Sequence, residues 1–164
     1  MLRPRHFIRV RMTSLTEPLH QHHKHCDDLF ADTEAAAASL EWTRCKLLLA
    51  RLQEEIETHF RTEEELLFPA FETTTGMVGG PTQMMRMEHA QMRALLEQML
   101  TAATAAAKDD FAGAAETLLV FMQQHNMKEE NILYPMCDRS LADQFDSLGV
   151  QLQKRLDAAC PMAI

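Results

Sequence analysis

Glycine is scarce in this sequence of 164 residues, with five, and proline numbers six; aromatic side chains make up 6% of it, with one Trp and one Tyr. These shortages argue against sheet-rich classes, which need frequent turn residues and strands rich in β-branched or aromatic side chains. No apolar run approaches the roughly 20 residues of a membrane-spanning helix, so a soluble chain without a membrane segment is expected. Cys26, Cys45, Cys137 and Cys160 show no CxxC spacing. Reduced thiols of a cytoplasmic protein, packed as small hydrophobes, are the expectation for them. Excess positive charge is missing too: the net charge is -8, with acids spread along the chain, which argues against nucleic acid as a partner.

What is abundant is Ala, Leu, Met, Gln and Glu, a composition that favours helix almost everywhere. The length suits one domain whose core needs neither disulfides nor a structural metal, so any bound metal would serve function. The opening MLRPRHFIRVRM is basic, lacks acids and has no apolar stretch of signal length. Residues 1–14 are expected to form a disordered extension, or the true start is Met12, and residues 15–164 form the domain.

Breakers divide the chain into four long helices and a tail. The first runs from about Thr16 to Ala38, with Pro18 in its first turn. The second starts near Ser39, a candidate N-cap, and ends around Pro69 to Phe71. The stretch Thr73 to Pro81, TTTGMVGGP, is the clearest loop. The third helix starts near Pro81 and ends before Asp109, and the fourth runs from about Asp110 to Asp138. Leu141 to Ala159 is amphipathic and is expected to fold back across the rest. Short connections between such rods predict an all-α, up-down-up-down four-helix bundle with a short C-terminal helical segment. HFRTEEELLFP from His59 and HNMKEENILYP from His125 echo each other, relating the second and fourth helices.

Core-facing positions of a bundle step alternately by three and four. In the first helix this step passes through Leu19, His23, Cys26, Phe30 and Thr33. The second gives Leu49, Leu52, Ile56, His59, Glu63, Leu66 and Ala70, and the third Met85, His89, Met92, Leu96 and Met99. The fourth gives Leu118, Met122, His125, Glu129, Ile132 and Met136. Each apolar stripe is thus interrupted by His, or by His and Glu. Buried charge without a partner costs several kcal/mol or shifts its pKa, so these groups must satisfy one another or a metal. With helices alternating in direction, all of them fall about 10 Å from one end of the bundle. Four imidazoles and two carboxylates suit iron, manganese or zinc. His20, His22 and His25 lie off the stripe, as do Glu64 and Glu130, although rotation of the helix would exchange Glu129 for Glu130.

The lone first-helix His, His59-xxx-Glu63, His89 within EHAQMRALL, and His125-xxx-Glu129 before LYP together resemble the hemerythrin-like, HHE cation-binding family. The resemblance runs from about Leu15 to Asp138. It implies a four-helix bundle holding two non-haem irons, bridged by carboxylates and an oxo or hydroxo group. It also implies His23, His59, Glu63, His89, His125 and Glu129 as ligands, with Glu63 and Glu129 bridging. Oxygen carriers of that family usually have a further His where this sequence has Met85, a weak ligand for hard iron that is read as packing. That leaves a coordination position open to water, substrate or an outside carboxylate such as Glu88. The other helix-three methionines and Cys26 are read as core filling, and Phe68 and Tyr134 as closing the pocket.

The expected function is therefore a non-haem di-iron protein that reacts with or senses O2, peroxide or nitric oxide. The alternative is an iron or zinc binding or homeostasis module without turnover. Least favoured is a structural bundle whose histidines and glutamates merely hydrogen-bond.

Overall fold

A computed structural model describes residues 13–159, and their regular structure is all helical. The basic opening and Cys160 lie outside the described residues. Helix α1 spans Glu17–Ala38. Its N-cap Thr16 donates from both N–H and Oγ1 to the Asp138 carboxylate, each at 3.0 Å, tying its start to a segment far along the chain.

Helix α2 (Trp42–Thr62) passes through a π turn, Glu63–Leu67, into α3 (Phe68–Thr75). After α4 (Pro81–Thr104), the pattern repeats. Helix α5 (Lys108–Lys128) passes through a second π turn, Glu129–Leu133, into α6 (Tyr134–Ser140). A 3₁₀ turn, Ala142–Gln144, and a π turn, Phe145–Gly149, lead to α7 (Val150–Ala159).

Proline explains both of the first two π turns. Pro69 and Pro135 stand second in α3 and α6, one residue past the turns, where each lacks an N–H and its ring would crowd the carbonyl four residues back. The N–H of Phe68 instead reaches five residues back to Glu63, and that of Tyr134 to Glu129. One extra residue is thereby accommodated and everything beyond it rotates. Leu67, Phe68 and Phe71 are therefore buried where the sequence pattern expected Leu66 and Ala70. Leu133, Tyr134 and Cys137 replace the expected Ile132 and Met136, and Ile132 is 57% exposed. Nor does the second rod end at Pro69 to Phe71. It continues to Thr75 and stops at Gly76, whose φ of 74° suits a residue without Cβ.

Ser39, expected to cap α2, instead ends α1. There Glu41 N–H bonds to Ala36 O and Leu40 N–H to Ala37 O, the Schellman pattern, with Leu40 left-handed at φ 61°. The α4–α5 connection repeats this with Ala107 to Ala102, Ala106 to Ala103, and Ala106 at φ 52°.

The buried side chains form two apolar clusters. One contains Phe30, Leu49, Leu52, Met92, Met99, Phe111 and Leu118. The other contains Leu15, Leu19, Phe68, Phe71, Met85 and Tyr134, covered by Leu148, Leu152 and Leu156 from the C-terminal segment. Fully burying a large apolar side chain is worth about 1.5–3 kcal/mol, so either cluster is a substantial anchor. Among the described residues no helix is long and apolar enough to cross a membrane.

Candidate metal centre

Between the two clusters lies a polar layer. His23 comes from α1, His59 from the end of α2, His89 from α4 and His125 from the end of α5. Glu63 and Glu129 are the first residues of the two π turns. All six are at most 5% exposed. Donor atoms of Glu63, His89, His125 and Glu129 lie within 4.8 Å of one another, and so do those of His23, His59 and Glu129.

Each carboxylate oxygen faces an imidazole, and Glu129 Oε1 also lies 3.9 Å from His89 Nε2. Glu63 Oε1 is 3.5 Å from His59 Nε2 and its Oε2 is 3.3 Å from His89 Nε2. Glu129 Oε2 is 3.1 Å from His23 Nε2 and its Oε1 is 3.1 Å from His125 Nε2. Despite this proximity, Glu63 Oε2, His89 Nε2, His125 Nε2 and Glu129 Oε1 are buried without any hydrogen-bond partner. They are near enough to attract and too misaligned to bond, an arrangement that leaves desolvation uncompensated. Converging N and O donors of this kind fit a transition-metal cation, so the residues present suit the group that the sequence pattern implies.

A second set of side chains fixes the imidazoles from behind. His23 Nδ1 donates to Glu130 at 2.7 Å, His89 Nδ1 to Glu64 at 2.7 Å, and His125 Nδ1 to Glu88 at 2.8 Å. Arg93 bonds both Glu57 and Glu64, and Lys128 bonds Glu88. Glu88 is thus engaged behind His125, not offered to the centre as an outside carboxylate. His59 differs. Its Nδ1 lies 3.2 Å from His22 Nδ1, and His22 Nε2 lies 3.1 Å from the buried Glu55. With the His22 proton on Nε2 toward Glu55, His22 accepts from His59 Nδ1–H, which leaves His59 Nε2 unprotonated toward the centre.

His22 and Glu55 were missed because both lie off the core stripe. One sequence interval would have pointed to His22. The spacing between positions 23 and 89 also separates His59 from His125, Glu63 from Glu129, Glu64 from Glu130, Leu40 from Ala106 and Phe68 from Tyr134. The same spacing pairs Glu88 with His22.

Burial opposes charge on His23, but hydrogen bonds to Glu129 and Glu130 outweigh it and raise its pKa from 6.5 to about 10. His89 is raised to about 9 against burial by Glu63 and Glu64, and His125 is raised against burial by Glu129. Burial lowers His59, and it lowers His22 to about 3 with help from His59 and His25. Burial pushes Glu63 upward, yet His59 and His89 hold it well below the usual carboxylate range. Glu129 is pushed up by burial and Glu63 and brought lower by His125 and His23. The metal-free layer accordingly keeps protons on imidazoles where a cation would otherwise neutralise two carboxylates.

Phe68 and Tyr134 both pack against the layer. Phe68 lies parallel to His89 with ring centres 6.0 Å apart, while Phe60 stacks on His89 at 3.8 Å. The Tyr134 hydroxyl goes further, into the layer itself, donating to Glu63 Oε1 at 2.6 Å and lying 3.1 Å from Glu129 Oε2. Burial, then Glu129 and Glu63, push its pKa well above 10. Met85 is buried in the apolar cluster below. Cys26 stands 3.6 Å from His22 Nδ1, and Cys26, Cys45 and Cys137 are free and buried. His20 is half-buried with Nδ1 3.8 Å from Glu130 Oε1, and His25 Nε2 is 3.5 Å from Glu55 Oε1. A cavity of about 20 Å³ opens beside His23 and His59, lined by Cys26, Phe60, Met92 and Met122.

Comparison with known proteins adds one positive finding. Residues 14–137 match the model of the hemerythrin HHE cation binding domain. Searches of curated proteins and of solved structures each returned no match. The matched span contains all six converging side chains and both π turns, and the chain belongs to the hemerythrin HHE cation-binding domain family.

Proposed function

We propose that the chain is a cytoplasmic, non-haem di-iron-binding protein that reacts with or senses O2, peroxide or nitric oxide. His23, His59, Glu63, His89, His125 and Glu129 would be the protein ligands, with Glu63 and Glu129 spanning both positions. The observation that carries this reading is the set of four convergent ligand atoms, buried and without hydrogen-bond partners, within a six-residue layer. A cation there converts an uncompensated cost into bonds. The reading includes an up-down-up-down order of the rods α1, α2–α3, α4 and α5–α6. It is supported by the short connections between the rods.

When bound, two irons would supply redox chemistry toward small oxidants or nitric oxide. The protein's part is to position and to shelter. Glu130, Glu64, Glu88 and the Glu55–His22 pair keep each Nδ1 proton outward, so that all four Nε2 atoms would present lone pairs inward once a cation displaces the inner protons. The 20 Å³ cavity suits one water-sized molecule beside His23 and His59, and its mostly apolar lining suits a diatomic gas. The alternative, iron or zinc binding without turnover, is favoured by the Tyr134 hydroxyl, which stands among His23, His59 and both carboxylates.

Reconstitution with Fe(II) under anaerobic conditions, followed by admission of air, tests the proposal. The expected result is about two irons per chain and near-ultraviolet oxo-bridge absorption after air. A chain that retains no iron refutes it. Retained iron whose spectrum is indifferent to air, peroxide and nitric oxide selects the alternative.

A further inference from the structure

The two groups of converging donors are unequal: Glu63, His89, His125 and Glu129 make four, whereas His23, His59 and Glu129 make three. Tyr134 Oη stands where a fourth member of the smaller group would be. It lies 3.4 Å from His23 Nε2, 3.4 Å from His59 Nε2 and 3.1 Å from Glu129 Oε2. Two donors bound to one ion at about 2.1 Å, with angles between octahedral and tetrahedral, stand about 3.0–3.4 Å apart. The separations match that spacing.

Hydrogen bonding alone does not account for the hydroxyl. Its single proton goes to Glu63 Oε1 at 2.6 Å, and the two imidazole nitrogens lie beyond the usual O–H hydrogen-bond range. Once a cation has displaced the inner imidazole protons, lone-pair atoms converge on an oxygen that has only one proton to give. The ring itself does not require the hydroxyl, because Phe68 fills the corresponding place in the other half of the repeat, within the same apolar cluster.

We propose that Tyr134 is a seventh protein ligand of the centre, its phenolate oxygen completing the group formed by His23, His59 and Glu129. This rests on the di-iron reading above. The O–H bond breaks as the oxygen–cation bond forms, and the proton leaves to solvent as other ligand protons do; no electron is transferred in that step.

Because Tyr134 is the only tyrosine in the chain, any phenolate signal has a single source. The full chain loaded with iron and oxidised to Fe(III) should show a visible phenolate-to-iron charge-transfer band, with ring vibrations enhanced in resonance Raman. Y134F, which imitates Phe68, should keep its helical circular dichroism and bound iron and lose both signals. Two irons with oxo-bridge absorption but no phenolate vibration in the unmodified chain would overturn the proposal and leave the di-iron reading intact. A chain without iron would overturn both. Should Y134F fail to fold, the spectrum of the unmodified chain decides by itself.

Discussion

Glu55 is 1% exposed, a burial that an unpartnered carboxylate would make very costly, and its partner His22 is itself buried. The two act on the centre only through His59 Nδ1, where Glu88 acts on His125 directly. His22→Leu combined with Glu55→Gln, which avoids stranding the carboxylate, should weaken metal binding about 10- to 100-fold with little loss of helicity. His22→Glu with Glu55→Gln recreates the Glu88 arrangement and should restore most of that affinity. Metal titration checks both variants. Equal, undiminished affinity in both would reduce His22 to packing.

At the scale of elements, the two Schellman connections place non-glycine residues in the left-handed region, Leu40 at φ 61° and Ala106 at φ 52°. Leu40 gains little from packing there, being 57% exposed. Replacing either residue by Gly should stabilise the fold by about 0.5–1 kcal/mol, the relief of Cβ crowding exceeding the entropy cost of Gly. The urea midpoint should rise with an unchanged slope. A fall would mean that the side chain contributes more than its exposure suggests. These elements also explain what the sequence made legible. The three-four step located His59, Glu63, His125 and Glu129 on core faces because all four precede the extra residue of their π turns. Leu66, Ala70, Ile132 and Met136 follow it, and there the same step named the wrong faces. A one-residue insertion alters no composition, and its only trace is Pro ten positions after each His. His22 and Glu55 escaped notice for another reason: off-stripe polar residues read as solvated until a neighbouring helix is seen to cover them.

For the whole molecule, the layer should link pH, metal and stability. His23 and His89 have raised pKa values, about 10 and about 9, so their protonation favours the folded metal-free protein. That contribution is complete below the unfolded value of about 6.5 and is lost as pH rises through 9 to 10. The Tm of the metal-free protein should therefore fall between pH 7 and pH 10, a fall that bound metal removes by displacing those protons. Metal binding near pH 7.5 should release protons, measurable by calorimetry in buffers of differing ionisation enthalpy. A flat metal-free Tm over that range would show that the imidazoles are neutral. Metal at a thousand times its Kd adds about 4 kcal/mol, and its removal should leave a folded bundle because apolar clusters stand on both sides of the layer.

The constant spacing that relates the two ends of the ligand set gives the molecule the character of a fused dimer. Each half contributes one helical hairpin, one His-xxx-Glu segment and one π turn. A perfect repeat would build two interchangeable cation positions. Here the halves differ where it matters, His22 against Glu88 and Phe68 against Tyr134, so two cations held as proposed would not be equivalent in basicity or in crowding. Filling should accordingly proceed in order, one position before the other, and a mixed-metal centre becomes something that this chain could be made to hold.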